Sequence, residues 1–332
     1  MFSAGEVSGD MHAAAAAAEI RKIRPDADMF GMGGSCMDRA GVRIIYNIKK
    51  LGVIGVVEVI RHLPMFFRLK KFLSKEMDRE KPDVLVCVDY PGFNMRLARM
   101  AREKGIPGVY YIAPTVWAWN RGRAKDIARD TAHVASILPF EAKVYEEAGA
   151  RVTFVGHPLA DTVHRSMPEE RAMEFFGADP KARRVLLMPG SRLNEVNSLL
   201  PAMLEAGRIL SQKINCQFFL PRAETIDLSL LEGMIEKAGI PVRITESHTY
   251  DLMGICHVAA ASSGTATLET ALMELPTVLL YRLAPLTWMA ARLLVHVRYA
   301  GLPNLLLDRE VTPELLQNAV TPEHIVSVLE PW

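Results

Sequence analysis

Short apolar runs alternate with longer amphipathic stretches along most of the chain. The runs are rich in Val, Ile and Leu and cover residues 83–89, 108–114, 133–139, 184–190, 216–221, 257–263 and 276–281. Such runs are typical of strands that are buried on both faces. The stretches between them repeat apolar residues with the period of a helix, as at 94–105, 199–213 and 227–239. This alternation predicts an α/β fold in which helices cover both faces of parallel sheets.

A polar interval over residues 157–184 interrupts the alternation and leaves a set of strands on each side. A chain of 332 residues is also longer than one ordinary hydrophobic core requires. We therefore expect two Rossmann-like domains, residues 1–165 and 166–332, with a junction near 160–175 and a cleft between them. Because ligands of such sheets bind outside the carboxyl ends of the strands, the chemistry is expected in strand-to-helix turns.

The composition excludes several classes of protein. With 39 basic and 38 acidic residues the net charge is +1, so no strong field gathers nucleic acid and no nucleic-acid partner is expected. The 4 cysteines lie far apart without metal-ligand spacing, as in reduced cytosolic proteins. The N-terminus lacks the pattern of a signal peptide, and no uncharged apolar run reaches the roughly 18 residues of a membrane span. These features predict a cytoplasmic protein.

The first strand-to-helix turn, Gly5 to Asp10, precedes an alanine-rich stretch with strong helix propensity. Its glycines allow close backbone packing, and the free N–H groups at a helix start suit an anion or a polar sugar. Glu6, Ser8 and Gly9 are therefore candidate binding residues. The alternative is that Ser8 or Asp10 only caps the helix.

A second glycine cluster, at residues 31–34, invites comparison with a dinucleotide-binding fingerprint. The GxGxxG pattern is incomplete, and no clear strand-turn-helix unit with a ribose-binding acid follows. A dinucleotide cofactor is therefore not expected.

The turn at 88–94 places the Asp89 carboxylate at the carboxyl end of a predicted strand. Desolvation raises the pKa of an aspartate held among apolar side chains, which suits a general base. Alternatively, Asp89 or Asn94 caps a helix that begins near Met95, and both interpretations can hold together. Asp10 is the rival candidate for the base.

In the second half, the turn at 188–192 follows a predicted strand. Gly190 and Ser191 can present backbone N–H groups, and the Arg192 guanidinium can donate two parallel hydrogen bonds to one anion. Together these groups suit a diphosphate, and Glu195 lies one helical turn further on. The alternative for Arg192 is a surface salt bridge.

A similar turn at 262–270 also follows a predicted strand and begins a helix. Ser263, Gly264 and Thr265 leave room for phosphate oxygens, and Glu269 is placed one turn beyond Thr265 to hold ribose hydroxyls. An ordinary Ser/Thr cap is the alternative. Two phosphate-type turns in one half favour a nucleotide diphosphate more than either turn does alone.

These turns belong to a series of motifs spaced along the whole chain. The series comprises GEVSGD (5–10), GMGG (31–34), LGVIGVVEV (51–59), KPDVLVCVDYPGFN (81–94), APTVWAWNRGR (113–123), ILPFE (137–141), FVGHPLAD (154–161), PGSRLNEV (189–196), SSGTATLE (262–269) and LPNLL (302–306). In content and order it resembles the lipid A disaccharide synthase family. The resemblance implies a GT-B fold and an inverting transfer of 2,3-diacylglucosamine from its UDP donor to the 6-hydroxyl of 2,3-diacylglucosamine 1-phosphate. The products implied are UDP and a β-1,6-linked disaccharide.

The resemblance also assigns residues. Asp89 is the candidate base. Matches on the UDP side are Gly190, Ser191, Arg192, Glu195, Ser263, Gly264, Thr265, Glu269 and Asn304. The acceptor side or another functional region is matched by Glu6, Ser8, Gly9, Asn94, Glu310 and Gln317. No metal or other cofactor is implied, and the oligomeric state stays open, a homo-oligomer included. Because the sequence stops at Trp332, where family members continue with helices, we expect a C-terminally shortened second domain.

Residues 56–73 mix bulky apolar groups with basic ones, the composition of an interfacial amphipathic helix. Residues 288–298, with Arg292, His296 and Arg298, form a second candidate. The alternative for both is a stripe that packs into the core. Because an acyl-chain substrate favours exposed apolar surface, we expect peripheral attachment to the cytoplasmic face of the cytoplasmic membrane. The predicted contact residues are Met65, Phe66, Phe67, Arg68, Lys70 and Lys71.

Two other functions fit parts of the pattern. A UDP-N-acetylglucosamine 2-epimerase uses the same scaffold and would act on its substrate without an acceptor. A non-catalytic nucleotide-sugar or lipid-binding protein would bind the donor and release no UDP. The series of motifs weighs against both.

Overall fold

The computed structural model describes residues 1–51, 56–116, 122–284, 287–289 and 297–332. They form two compact units, Met1–Pro158 and Leu159–Trp332. Each unit contains one parallel sheet with helices between its strands, so the predicted fold class is confirmed. The division falls just ahead of the interval predicted for the junction.

The sheet of the first unit has seven parallel strands within the described residues. They are β1 (Phe2–Ala4), β2 (Phe30–Gly33), β3 (Arg43–Asn47), β4 (Leu85–Val88), β5 (Gly108–Tyr111), β6 (His133–Ser136) and β7 (Val152–Phe154). Their order is β3-β2-β1-β4-β5-β6-β7. The chain winds outward from β1 in one direction and from β4 in the other. The carboxyl ends of β1 and β4 therefore mark the topological switch point, where such sheets bind ligands.

The helices of the first unit are α1 (Val7–Ile23), α2 (Ser35–Arg39), α3 (Val56–Glu80), α4 (Pro91–Glu103), α5 (Gly122–Asp130) and α6 (Pro139–Glu147). A 3₁₀ turn covers Ile48–Leu51. In α1, Ala13 and Ala17 lie on one face, one helical turn apart, and both are buried. Side chains alternate along β4, with Leu85 and Cys87 in one apolar cluster and Val88 in another, so both faces of the sheet are covered.

The second unit repeats this architecture. Its strands are β8 (Arg183–Met188), β9 (Cys216–Pro221), β10 (Val242–Thr245), β11 (Val258–Ser262), β12 (Thr277–Tyr281) and β13 (Glu314–Leu316), in the order β10-β9-β8-β11-β12-β13. All pairs are parallel. The switch point of this sheet lies between β8 and β11. Val185 and Leu187 pack in one apolar cluster and Leu186 in another.

The helices of the second unit are α7 (Leu159–Thr162), α8 (Glu169–Phe175), α9 (Leu193–Ser211), α10 (Leu228–Ala238), α11 (Thr249–Ile255), α12 (Thr265–Leu272), α13 (Leu302–Leu307) and α14 (Pro322–Leu329). A 3₁₀ turn covers Gln317–Ala319. Helix α9 supplies a large part of the core, because Leu199, Leu200 and Met203 are all buried.

All seven predicted runs contain a strand, but most of the strands end earlier than predicted. The run 133–139 shows the reason, because β6 ends at Ser136 and Pro139 already begins α6. Proline is favoured in the first turn of a helix. The local structure of the glycine cluster at 31–34 differs in part from the prediction. Its first residues belong to β2, and α2 follows directly, so a strand-turn-helix unit is present.

Candidate functional site

The turns after β1 and β4 meet at the switch point of the first sheet. The α-carbon of Gly9 lies close to the end of β4, because a β-carbon there would be 3.5 Å from the Val88 carbonyl oxygen. A β-carbon on Gly5 would overlap the ring of Tyr90. Glycine is thus required by close approach at Gly5, whereas Gly9 packs against the end of β4 at ordinary contact distance. The two turns that carry the first-half candidate residues are brought together by the pairing of β1 with β4.

The backbone at Asp89 and Tyr90 is in the left-handed region, with φ of 48° and 51°. This conformation is unfavourable for residues other than glycine and recurs at functional turns. It ends β4 sharply and lets Pro91 begin α4 directly. The predicted helix start near Met95 is therefore wrong, because the proline fixes the helical φ earlier in the chain.

Asn94 does not cap a helix. It is completely buried within α4. Its side-chain amide donates to the carbonyl oxygens of Ser3, Val88 and Asp89, at 3.0, 3.2 and 2.8 Å, and its oxygen accepts from the Ser3 hydroxyl at 2.6 Å. Asn94 thereby ties the ends of β1 and β4 to the turn. The sequence placed Asn94 among the acceptor-side candidates, and in the structure its side chain holds the turn at Asp89.

Burial raises the pKa of the Asp89 carboxyl group, and the nearby His12 side chain opposes that shift. Burial lowers the pKa of His12. The Tyr110 hydroxyl donates to the Asp89 carbonyl at 3.1 Å, which fixes the backbone from the next strand. A partly desolvated carboxylate on a fixed backbone has the properties of a general base.

Asp10 has a different environment from Asp89. It is buried, and its carboxylate accepts backbone N–H bonds from Gly34, Cys36 and Met37 at 2.6, 2.9 and 3.2 Å. These N–H groups belong to the start of α2, so Asp10 caps α2. The alternative interpretation, in which Asp10 caps α1, is wrong. A carboxylate occupies the place that a phosphate takes in a dinucleotide turn.

The remaining candidates of the first turn lie at the start of α1. Glu6 is the N-cap residue and Ser8 lies in the first turn, and both are exposed. No side-chain cap bond is formed there, so the cap alternative for Ser8 is also wrong. Ser8 and Glu6 stay candidates for contact with a ligand.

The turns after β8 and β11 meet in the same way in the second unit. Met188 pairs with Ala261 in the sheet, and a β-carbon on Gly190 would lie 3.0 Å from the Ser262 hydroxyl. It would also overlap the Glu195 carboxylate. Gly190 has a φ of 110°, so glycine is needed there for both space and conformation. The two phosphate-type turns are therefore neighbours.

Arg192 is the N-cap residue of α9 and forms the predicted alternative contact, a surface salt bridge. Its guanidinium donates to Glu195 at 3.0 Å, and its backbone N–H donates to the same carboxylate at 3.3 Å. The Arg192 side chain is 80% exposed. Because such exposed pairs contribute little free energy, the guanidinium can exchange Glu195 for a phosphate at small cost. The Ser191 carbonyl is held by the Thr225 hydroxyl at 2.6 Å.

Helix α12 begins after Gly264, which has a φ of 153°. The Ser/Thr cap alternative is wrong, because no side chain of the described residues caps this helix and the Ser263 hydroxyl donates instead to the Ala300 carbonyl at 3.1 Å. Thr265 is exposed at the helix start. Burial raises the pKa of Glu269, and the Tyr250 hydroxyl donates to its carboxylate at 3.0 Å.

Asn304 lies in α13 and is completely buried, and its amide is fully used by bonds to residues 311–314. It donates to the Thr312 carbonyl and to Glu314, at 2.7 and 2.8 Å, and it accepts from the N–H groups of Val311 and Thr312. Contact with UDP, predicted from the sequence, is not supported by these bonds. Asn304 instead holds the loop that carries Glu310, which is exposed.

The Gln317 side chain bonds to the backbone of Leu283, just beyond the end of β12. With its amide in the orientation that satisfies both partners, it donates to the Leu283 carbonyl at 3.1 Å and accepts from the Leu283 N–H at 2.9 Å. Arg282 adds bonds to the carbonyls of Gln317 and Val320. A direct role in ligand binding stays a prediction for Gln317.

The predicted membrane stripe is divided between core and surface. Met65 and Phe66 pack against the first apolar cluster, and the Phe66 ring lies 6.2 Å from that of Phe93. Phe67 is 70% exposed. The three basic residues that accompany it are exposed as well: Arg68, Lys70 and Lys71. Residues 290–296 of the second candidate segment lie outside the described residues. Among the helices that the structure describes, none is long and apolar enough to cross a membrane.

Sequence reasoning missed Tyr250 and Thr225, which bond to predicted site residues. They lie 19 and 34 positions from their partners, and neither belongs to a motif, so no local signal identifies them. In the described part of the chain, no group of three or more His, Cys, Asp or Glu side chains is placed to hold a metal ion.

Comparison with known proteins identifies the family. The family model described as lipid-A-disaccharide synthetase matches residues 1–329. The lipid-A-disaccharide synthase of Trichlorobacter lovleyi is 42% identical over 98% of this chain and 85% of that protein. The synthase of Syntrophus aciditrophicus is 41% identical over 98% of this chain and 86% of that protein.

Solved structures resemble the chain in fold. A UDP-GlcNAc 2-epimerase from Neisseria meningitidis bound to UDP-GlcNAc has a TM-score of 0.61 at 11% identity, over 92% of this chain and 88% of that one. A glycosyltransferase from Rickettsia africae has a TM-score of 0.59 at 11% identity, over 99% and 86%. These likenesses show the GT-B fold class. Family model, relatives and fold agree, and the chain belongs to the lipid-A-disaccharide synthase family of glycosyltransferases.

Proposed function

We propose that the chain transfers 2,3-diacylglucosamine from its UDP donor to the 6-hydroxyl of 2,3-diacylglucosamine 1-phosphate, with inversion at the anomeric carbon. The observation that carries the proposal is the Asp89 carboxylate. It lies at the carboxyl end of β4, burial raises its pKa, and its backbone is held by Asn94 and Tyr110. An inverting transfer needs one such base for the attacking hydroxyl.

Asp89 is a better candidate for this base than Asp10. Asp10 uses its carboxylate to accept three backbone N–H bonds at the start of α2. A proton on Asp10 would weaken these bonds, because a protonated carboxyl group is a poorer acceptor than a carboxylate. The Asp89 carboxylate accepts one backbone N–H bond, from Tyr90, and burial raises its pKa.

The second unit is the proposed site of UDP. The diphosphate binds to the N–H groups of Gly190 and Ser191, to the Arg192 guanidinium and to the start of α12 at Ser263–Thr265. The adjacency of Gly190 and Ser262 supports this arrangement, because one diphosphate can then contact both turns. The Glu269 carboxylate accepts hydrogen bonds from the ribose hydroxyls.

The proposed reaction is a single displacement. Asp89 takes the proton of the acceptor hydroxyl as its oxygen forms the new bond to the anomeric carbon of the donor. The bond from that carbon to UDP breaks, and the diphosphate retains the electron pair. Arg192 and the helix start of α12 stabilise the negative charge that develops there.

We further propose that the chain binds the membrane surface where its acylated substrates reside. Phe67 supplies an exposed aromatic ring, and Arg68, Lys70 and Lys71 supply positive charge for anionic headgroups. Phe66 is half-buried against Phe93 and therefore offers less apolar surface than Phe67.

The test is a reaction with both substrates, UDP-2,3-diacylglucosamine and 2,3-diacylglucosamine 1-phosphate. Release of UDP together with a β-linked disaccharide is the expected result. Product with the α configuration, or no UDP release by the folded protein, would contradict the proposal. Incubation with UDP-N-acetylglucosamine alone is the control, because a 2-epimerase would convert it without an acceptor.

A further inference from the structure

Tyr250 lies on α11 and Glu269 on α12, and the Tyr250 hydroxyl donates to one carboxylate oxygen of Glu269 at 3.0 Å. Burial and the neighbouring carboxylate raise the pKa of Tyr250 to about 12. The hydroxyl therefore keeps its proton near neutral pH and is the donor of this bond. Within the described residues, no other side chain donates to the Glu269 carboxylate.

Helix α11 is held firmly against the beginning of the second unit. The Tyr250 hydroxyl is also hydrogen-bonded to the side chain of Thr162, at the end of α7. The next residue, Asp251, is buried and accepts backbone N–H bonds from Ser166 and Met167 at 2.7 and 2.9 Å. The helix that carries Tyr250 is thus held by contacts that do not involve Glu269.

This arrangement leaves one oxygen of Glu269 held and the other available. A glutamate side chain in a helix has several rotamers, and each has to be restricted before the carboxylate can accept hydroxyl groups in one geometry. A hydrogen bond from a rigid neighbour supplies that restriction before the ligand arrives.

We propose that Tyr250 is a positioning residue for the nucleotide, which holds Glu269 so that its second oxygen accepts the ribose hydroxyls of UDP. The inference rests on the proposed function, because it requires the ribose to lie at Glu269. The proposal gives a role to Tyr250, which lies outside every motif, and links Tyr250 through Thr162 to α7.

The experiment measures UDP binding by isothermal titration calorimetry between about pH 5 and about pH 8, above the ordinary glutamate pKa of about 4.3, where a raised pKa becomes visible. The proteins are the wild type, Tyr250→Phe, Glu269→Gln and the double variant. Tyr250→Phe should weaken UDP binding about tenfold, as expected for one lost hydrogen bond to a charged group. In the Glu269→Gln background the same change should have little effect, because interacting residues are not additive.

The pH dependence separates positioning from a general structural effect. Burial raises the Glu269 pKa, and the Tyr250 hydrogen bond opposes that shift. Removing the hydroxyl raises the pKa further, so UDP affinity should be lost at a higher pH in Tyr250→Phe than in the wild type as the solution is acidified. Tyr145→Phe is the matched control, because it removes a buried hydroxyl that donates to the Pro114 carbonyl at 2.7 Å in the first unit. It should leave UDP affinity unchanged.

Each outcome decides a different point. Wild-type protein that does not bind UDP would overturn the proposed function together with this inference. If Glu269→Gln weakens binding while Tyr250→Phe does not, only the role of Tyr250 is wrong. The same holds if Tyr250→Phe weakens binding equally in the Glu269→Gln background, or if Tyr145→Phe has a similar effect. Unchanged UDP binding by Glu269→Gln would remove the ribose role and the inference that depends on it.

Discussion

The side-chain amide of Asn94 donates to the backbone carbonyl of Asp89 at 2.8 Å, across the turn between β4 and α4. This bond stabilises a left-handed residue whose side chain carries the proposed chemistry. A strained backbone of this kind persists only where the surrounding bonds hold it. Because the turn is held by Asn94, the Asp89 carboxylate can be changed without loss of the turn.

We expect Asp89→Asn to abolish most of the activity while the protein stays folded. The amide has nearly the shape of the carboxylate but cannot accept the proton, so kcat should fall by about 10²- to 10⁴-fold. Steady-state release of UDP and a thermal unfolding curve measure the two effects. A variant with near wild-type kcat would assign the base to another residue.

Asp10→Asn makes the same chemical change at the rival position and should have the opposite effect. The amide oxygen can still accept from Gly34 and Met37, but the new NH2 group then faces the backbone N–H of Cys36, and the remaining bonds lose the charge of the carboxylate. These changes should lower the free energy of unfolding by about 1–3 kcal/mol. Below its unfolding temperature the variant should retain most of its kcat. Unchanged stability combined with lost activity would favour Asp10 as the base.

The pH profile should show an acidic limb that belongs to Asp89. The base works only when ionised, and burial raises the Asp89 pKa. Activity should therefore decline on acidification at a higher pH than an ordinary aspartate, with a pKa of about 3.9, would give. The quantity to measure is kcat/KM against pH.

His12→Gln tests the cause of that limb. A positively charged His12 lowers the Asp89 pKa, so its removal should move the limb to still higher pH. A limb that does not move, or that moves to lower pH, would be inconsistent with this electrostatic relationship.

Arg192→Ala should weaken UDP binding by about 10- to 100-fold, since it removes a charged donor to the diphosphate. Stability should change by no more than about 0.5 kcal/mol, because the Arg192–Glu195 pair is exposed. Arg208→Ala is a matched control on the same helix, where Arg208 forms an equivalent pair with Glu205. If both variants lose UDP affinity equally, the effect does not come from contact with the diphosphate.

Phe67→Glu should reduce binding to vesicles that contain anionic phospholipid by about tenfold or more. The change removes an apolar side chain worth about 1.5–3 kcal/mol on burial and adds a negative charge. Sedimentation with vesicles measures the effect. Ile23→Glu is the control, because Ile23 is 77% exposed at the end of α1 and lies outside the proposed surface. Equal loss in the two variants would indicate a general effect of charge.

The architecture and the turns could be predicted from the sequence because their causes are local. Runs of apolar residues predict buried strands, helical periodicity predicts the helices between them, and glycines mark the strand-to-helix turns. The same local patterns identified the turns at Asp89, Gly190 and Gly264. Local patterns could not separate the core side of α3 from its exposed side, since that depends on where Phe66 meets Phe93.

The role of each polar residue was decided by tertiary structure. Asp10 and Asp89 are chemically identical, and only bonds to residues 24 positions or more away make the first a helix cap. Asn94 bonds to Ser3 across 91 positions, and Tyr250 reaches Glu269 across 19. A hydrogen bond requires its two partners to lie about 3 Å apart in space. Their separation along the sequence does not reveal whether they are that close. The sequence by itself determined which turns hold chemical groups, and the pairing of distant strands determined which of those groups are held and which stay available to a ligand.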